Sequence, residues 1–251
     1  MRRLFMIRAS KYLCVCALPV FCGLTAAQAV VKPVPTEMQL TTVRVGAVSI
    51  DLPSPANDLA DPGPDYRVLF EPLAAGPNRL VAAFVPRDNL AAIHAGNAPP
   101  MDKYILLEVQ RRAEFAAVDP ATFRQIAEAT AKQLGGDLSQ TDRENQDRIN
   151  QNLKSLGNPA NVSIDKPVQL GTFFSEPDAV GFGMITPYNE NGVTTRRVGC
   201  LAFLRVRGRI LSAFTYATYK DESTVNWVKT TSAQWAEAIL KANQEPNSLN
   251  H

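Results

Sequence analysis

Two apolar, β-rich runs separated by two residues dominate the C-terminal half of the chain. Residues 198–206 read Val-Gly-Cys-Leu-Ala-Phe-Leu-Arg-Val, and residues 209–219 read Arg-Ile-Leu-Ser-Ala-Phe-Thr-Tyr-Ala-Thr-Tyr, with Arg207-Gly208 between them. This is the pattern of a β-hairpin closed by a two-residue turn. It sets Val206 opposite Arg209, Leu204 opposite Leu211 and Ala202 opposite Ala213. The other face then carries Leu201, Phe203, Ile210, Phe214 and Tyr216. A strand pair with one wet face alternates apolar and polar residues, whereas this one is apolar on both. Helices, or a helix and a second layer, are therefore expected over both faces of the sheet.

The closing run predicts one of those helices. Val228, Thr231, Trp235, Ala238, Ile239 and Ala242 recur at helical spacing, which places them on one stripe. Ser223 or Thr224 is the expected N-cap, with Asp221 and Glu222 favourable beside the positive end of the dipole. Lys241 suits the negative end, and Asn243 is the expected left-handed terminator. Trp227 and Trp235 are the only tryptophans in the chain. They read as core packing against the sheet rather than as an aromatic binding site.

Upstream, residues 41–52 predict one strand, or two short ones bent near Gly46. Residues 53–64, with Pro53, Pro55, Pro62, Gly63 and Pro64, read as a surface loop. Residues 66–73 read as a short strand, and residues 79–85 and 104–110 as two longer ones. Asp88 is the expected cap of a short helix over 89–94. Asp119-Pro120 predicts a sharper start, Asp as N-cap and Pro at the first helical position. Phe123, Ile126, Ala127, Thr130 and Leu134 form that helix's apolar face, which is expected on the same sheet. Residues 136–161 are mostly polar, with a helix expected from a cap at Ser139. Residues 168–174 and 179–186 predict further strands, and Asn191-Gly192 a tight turn. With no internal repeat and no linker after Pro64, residues 41–245 read as a single domain, preceded by a lead-in over 30–40 and followed by a tail over 246–251.

The first residues read differently. Arg2, Arg3, Arg8 and Lys11 precede an apolar run over 12–24 and then Ala27-Gln28-Ala29, a small-x-small cleavage site. This is a signal peptide, with cleavage expected after Ala29 and export to the periplasm or beyond. The apolar run is shorter than the ~20 residues of a membrane-spanning helix, and no later stretch is long enough either. A lipid anchor on Cys22 is disfavoured, because Pro19-Val20-Phe21 lacks the small residues such a site needs. The leader holds four cations and no acid, so its loss takes the formal net charge from +2 to −2. A general affinity for nucleic acid then loses its electrostatic basis.

The chemistry-bearing residues are few. Cys14, Cys16 and Cys22 leave with the leader, so Cys200 remains without a disulfide partner and reads as a small buried hydrophobe. The histidines are His94 and the terminal His251, and His94 reads as a surface residue. No nucleophile elbow, zinc-protease helix, phosphate loop or dinucleotide fingerprint occurs. Asp137, Asp142, Glu144 and Asp147 lack the order of a calcium loop, so neither a metal nor a cofactor is expected. The one notable charge pattern is Arg196, Arg197, Arg205, Arg207 and Arg209, at the two ends of the hairpin. It reads as solvated turns or as a patch for a partner.

The order of elements is a strand ending Ile50-Asp51-Leu52-Pro53, a strand pair, an Asp-Pro-capped helix, a polar insert, a hairpin, and a helix with Trp227 and Trp235. It resembles the PsbP-like fold, seen in the photosystem accessory protein PsbP and in a Ran-binding relative. It also looks like a group of exported bacterial proteins with the same hairpin and tryptophan-helix ending. The resemblance covers about residues 41–243 and departs at the polar insert. It implies an α/β/α sandwich around an antiparallel sheet, in proteins that work mostly by binding others. The expectation is thus an exported α/β (α+β) protein that binds an unknown protein partner and is not an enzyme. The alternatives are a hydrolase with a carboxylate-based site and a carrier of a small apolar ligand.

Overall fold

The hairpin forms as the apolar pattern dictates. β9 (Val193–Val206) and β10 (Arg209–Thr218) pair antiparallel, with Val206 opposite Arg209, Leu204 opposite Leu211 and Ala202 opposite Ala213. Arg207 and Gly208 have φ of 48° and 72°, the two positive values that a type I′ turn needs. The computed structural model describes residues 40–74, 76–97, 99–134, 151, 162–164, 167–190 and 192–244, all within the unit Glu37–His251. The expected leader, nearly all of the polar segment over 136–161 and the tail lie outside the described residues.

Around the hairpin runs a large antiparallel sheet. β3 (Leu59–Ala60), β4 (Asn78–Pro86), β5 (Lys103–Gln110), β10, β9, β8 (Ala179–Glu190) and β6 (Val162–Ile164) follow in that spatial order, and β7 (Val168–Glu176) also pairs with β8. β1 (Leu40–Val45) and β2 (Val48–Pro53) form a separate hairpin. Its bend is set by Gly46 at φ 57°, where a Cβ would lie 2.7 Å from the Glu114 carbonyl oxygen. Glycine meets both demands, a left-handed backbone and a close approach.

Three helices accompany the sheet among the described residues: α1 (Leu90–His94), α2 (Pro120–Leu134) and α3 (Glu222–Ala242). α3 lies across β9, β2 and β10. It buries Val228, Thr231, Ser232, Trp235, Ala236 and Ile239 against Cys200, Ala202 and Leu204 of β9, Phe84 of β4, and Ile50 and Leu52 of β2. The stripe differs from the expected one at its end. Ala242 is exposed and Asn243 is buried, because the Asn243 amide bonds the backbone of β2. That amide, not a left-handed backbone, closes the helix: Asn243 has φ −111°. At the other end Asp221 is the N-cap, accepting from the Ser223 N–H at 2.9 Å, so the acid takes the role expected of Ser223 or Thr224.

The opposite face of the hairpin is covered less completely. Leu201, Phe203, Ile210, Phe214 and Tyr216 are half-buried. α2 starts as expected, with Asp119 Oδ1 accepting from the N–H groups of Ala121 and Thr122 at 2.8 and 2.9 Å. It meets the sheet through Phe123, which packs with Val180 and Phe182, while Ile126, Ala127 and Thr130 are only half-buried. A second cluster on this side joins Phe70, Leu80, Ile93, Tyr104 and Leu106. Two local expectations fail here. Residues 66–73 are not a strand but 3-10 turns, Pro64–Leu69 and Glu71–Leu73, because Pro64 and Pro72 fix φ at their starts and cannot donate to a ladder. Asp88 caps nothing, since it sits inside the 3-10 turn Arg87–Asn89 that leads into α1.

Cys200 is 1% exposed, and burial pushes its thiol up to about 11 from an ordinary 9.0. The folded state keeps the thiol neutral while the unfolded chain ionises it. Its contribution to stability is therefore complete below pH 9.0 and is lost as pH rises towards about 11. A thiol reagent at neutral pH is expected to label the native chain slowly and the denatured chain fast. Equal rates would show that this hairpin face is open to solvent, against the packing described.

Candidate functional site

The turn of the β9–β10 hairpin is where local rules are broken. Arg207 is the one non-glycine residue with positive φ among the described residues. Asn, Asp or Gly ordinarily fills that first turn position, and a residue with a Cβ costs about 1–2 kcal/mol there. Side-chain bonds offset the strain: Arg207 Nη1 donates to the Ser49 carbonyl at 3.1 Å and Nε to the Asn243 carbonyl at 3.3 Å. The guanidinium thereby ties the hairpin turn to β2 and to the end of α3. Strain held in place by surrounding structure marks a candidate site.

Beside Arg207 lies a cleft of about 820 Å³, within the size range of binding pockets. One wall is the C-terminal half of α3, through Ala233, Ala236, Glu237, Leu240 and Lys241. The other is the β7–β8 turn, Glu176 to Ala179, with Phe174 behind it and the end of β9 below. Ala233 and Ala236 leave the space, since larger side chains there would fill it. The floor is apolar (Phe174, Ala179, Val206, Leu240) and the rim carries both signs of charge. Arg205 Nε donates to Asp178 Oδ1 at 2.7 Å, a partly buried pair that fixes the turn against β9. Glu176, Glu237 and Lys241 are exposed. Such a surface can hold an extended chain by apolar side chains while pairing its polar groups at the edges.

Of the five arginines singled out by the sequence, Arg205 and Arg207 line this cleft. Arg209 is on the far side of the turn and donates to the Phe115 carbonyl. Arg196 and Arg197 are at the other end of β9, opposite Thr218 in the case of Arg197. Arg197 and Arg205 are eight residue steps apart along the strand, roughly 27 Å. Arg196 is exposed. Arg197 packs between the rings of Tyr104 and Tyr188, at 5.7 and 4.9 Å, and donates to the Tyr104 hydroxyl at 3.0 Å. Burial raises the Tyr104 hydroxyl above its ordinary value, against the opposing pull of the Arg197 charge. The structure thus divides the five into two groups.

The acids of the cleft were missed in the sequence. Glu176-Pro177-Asp178 gave the signal of a turn, but nothing local says that this turn faces α3. His94 is exposed, its ring nitrogen 3.0 Å from the Pro62 carbonyl. Trp227 is half-buried with Lys103 Nζ 4.9 Å above its ring, separate in role from buried Trp235. The described residues hold no group of three or more His, Cys, Asp or Glu placed to bind a metal ion. None of their helices is long and apolar enough to cross a membrane.

A scan against protein-family models matches none, and no curated protein matches the chain. Among solved structures, a mutant of protein Mog1 is similar at 10% identity and a TM-score of 0.33, over 82% of this chain and 95% of that one. The Saccharomyces cerevisiae Ran-binding protein Mog1p is similar at 10% identity and a TM-score of 0.29, over 82% of this chain and 94% of that one. At these values neither carries an argument about what this chain does. They do correct the resemblance drawn from the order of elements: the structural neighbours found are Mog1 proteins and not PsbP, and a shared order of strands and tryptophan helix does not identify a PsbP-like protein.

Proposed function

We propose that the chain is exported, loses residues 1–29, and works in the periplasm by docking an extended segment of a protein partner in the cleft beside α3. The cleft carries this reading: an apolar floor between a helix flank and a β-turn, with Glu176, Glu237 and Lys241 exposed on its rim. The reading is one of binding rather than catalysis, and α2 serves as a second, smaller layer on the reverse face of the sheet. The leader pattern supports the export step.

Two measurements test it. Intact mass of the exported protein is expected to match a chain beginning at Val30; retention of Met1 to Ala29, or a lipid mass on Cys22, would refute the export reading. Ala233 lines the cleft and is only half-buried, so Ala233→Arg is expected to fill the cleft with little cost to folding. The native protein should retain from periplasmic extract a partner that Ala233→Arg loses by tenfold or more, roughly the loss of one interface hot spot. Equal retention by both proteins would place the contact elsewhere.

A further inference from the structure

Beyond the turn, on the side away from the cleft, a rigid loop holds an aromatic side chain in solvent. Phe115 is 74% exposed, and its neighbours Ala116 and Ala117 are exposed too. The loop is pinned along its length. The Arg111 N–H donates to the Pro77 carbonyl at 3.0 Å, Ala116 to Ala113 at 3.0 Å and Val118 to Gly208 at 2.8 Å. Glu114 Oε1 accepts from the Gly46 N–H at 3.2 Å, and Arg209 holds the Phe115 carbonyl. Phe115 is thus held outward by its fixed backbone, which makes it a ready interface anchor.

Five arginines lie on the loop or on segments tied to it, Arg44, Arg79, Arg111, Arg112 and Arg209, and Arg207 lies in the adjoining hairpin turn. Against them stand Glu114, which pairs with Arg79, and Asp119, whose carboxylate caps α2. A clear excess of positive charge remains among the described residues. Three of the guanidiniums are oriented by backbone carbonyls, which neutralise nothing: Arg111 by Asn78 at 3.1 Å, Arg207 by Ser49 at 3.1 Å, and Arg209 by Phe115. Each keeps terminal N–H donors beyond that bond, while the Nε of Arg209 is buried.

We propose that this end of the molecule is a docking surface whose occupant is an acidic protein segment, with an apolar side chain beside its carboxylates to meet Phe115. Pre-oriented arginine forks match carboxylates bidentately, and Arg with exposed aromatics is the composition of protein interfaces, in which Lys is depleted. Lys241 lines the cleft. A net charge of −2 without the leader disfavours a general attraction to nucleic acid or anionic lipid. The surface adjoins the cleft at Arg207, but the proposal does not rest on the cleft.

The test is fluorescence anisotropy of the leaderless protein with a labelled peptide of alternating glutamate and phenylalanine. A glutamine-for-glutamate peptide, duplex DNA and phosphatidylglycerol vesicles are the comparisons. The acidic peptide is expected to bind best. The double variant Arg44→Gln/Arg112→Gln, and separately Phe115→Ser, should each weaken it by about tenfold, with circular dichroism unchanged. Ala233→Arg, which blocks the cleft, and Arg196→Gln, at the far end of β9, should leave it unaltered. Equal affinity for native protein and both patch variants would overturn the proposal. So would tighter binding to vesicles or DNA than to the peptide.

Discussion

Trp235→Ala is expected to cost about 3–5 kcal/mol, the usual range for removing a large aromatic from a core. Trp235 is 2% exposed and meets Phe84 edge-to-face, ring centroids 5.3 Å apart. Its indole N–H donates to the Pro53 carbonyl at 2.7 Å, so the ring joins α3, β4 and the end of β2 at one point. Against a net stability of about 5–15 kcal/mol the loss is large, and denaturant unfolding followed by circular dichroism will read it. Trp235→Phe keeps much of the ring but orphans the Pro53 carbonyl, so about 1–3 kcal/mol is expected from that variant. Trp227 is half-buried, and its truncation should cost less than either. An unchanged midpoint for Trp235→Ala, with loss of partner binding, would convert this residue from a core anchor into part of an aromatic site.

The second large effect is expected at Asn243, 4% exposed at the end of α3. Its Oδ1 accepts from the Asp51 N–H at 2.9 Å, and its Nδ2 donates to the carbonyls of Asp51 and Ile239 at 2.7 and 2.8 Å. One side chain thus closes the helix and imitates a strand partner for β2. Asn243→Ala leaves the Asp51 N–H and carbonyl without this partner, while the Ile239 carbonyl keeps the backbone N–H of residue 243; Asp51 is half-buried and water can reach part of the gap, so about 2–3 kcal/mol is expected. Asn243→Asp should be at least as damaging, because a carboxylate cannot donate to either carbonyl and sits at the negative end of the dipole. Unfolding midpoints, with amide exchange at Asp51, check both. Native protection at Asp51 in Asn243→Ala would mean that β2 does not depend on this contact.

Both effects show what a sequence carries and what it hides. The hairpin register followed from alternation and one Gly-containing turn, because a two-residue turn leaves no freedom in pairing. The stripe of α3 was legible for Val228, Thr231, Trp235 and Ile239, since 3.6-residue spacing alone selects them. Asn243 was legible as a helix stop but not as a bridge to Asp51, a contact across 192 residues that no local rule encodes. Apolar residues on both hairpin faces suggested cover on both, yet α2 reaches the sheet mainly through Phe123, while Ile126, Ala127 and Thr130 stay half-buried. The arginines were visible as a run in sequence. Their division between the two ends of the hairpin was legible too, whereas the partnership of Arg205 with Asp178 required the fold. The cleft was invisible, because it exists only where the small side chains Ala233 and Ala236 meet a turn from another part of the chain.

The most direct test of a docking role for that cleft is to place a photo-activatable amino acid at Ala233 in the exporting cell, with Glu128 on the exposed side of α2 as the comparison position. Irradiation is expected to give a protein adduct of one defined mass from position 233 and none from position 128. No adduct from 233, or the same adduct from both positions, would contradict the assignment of the cleft as the partner's seat.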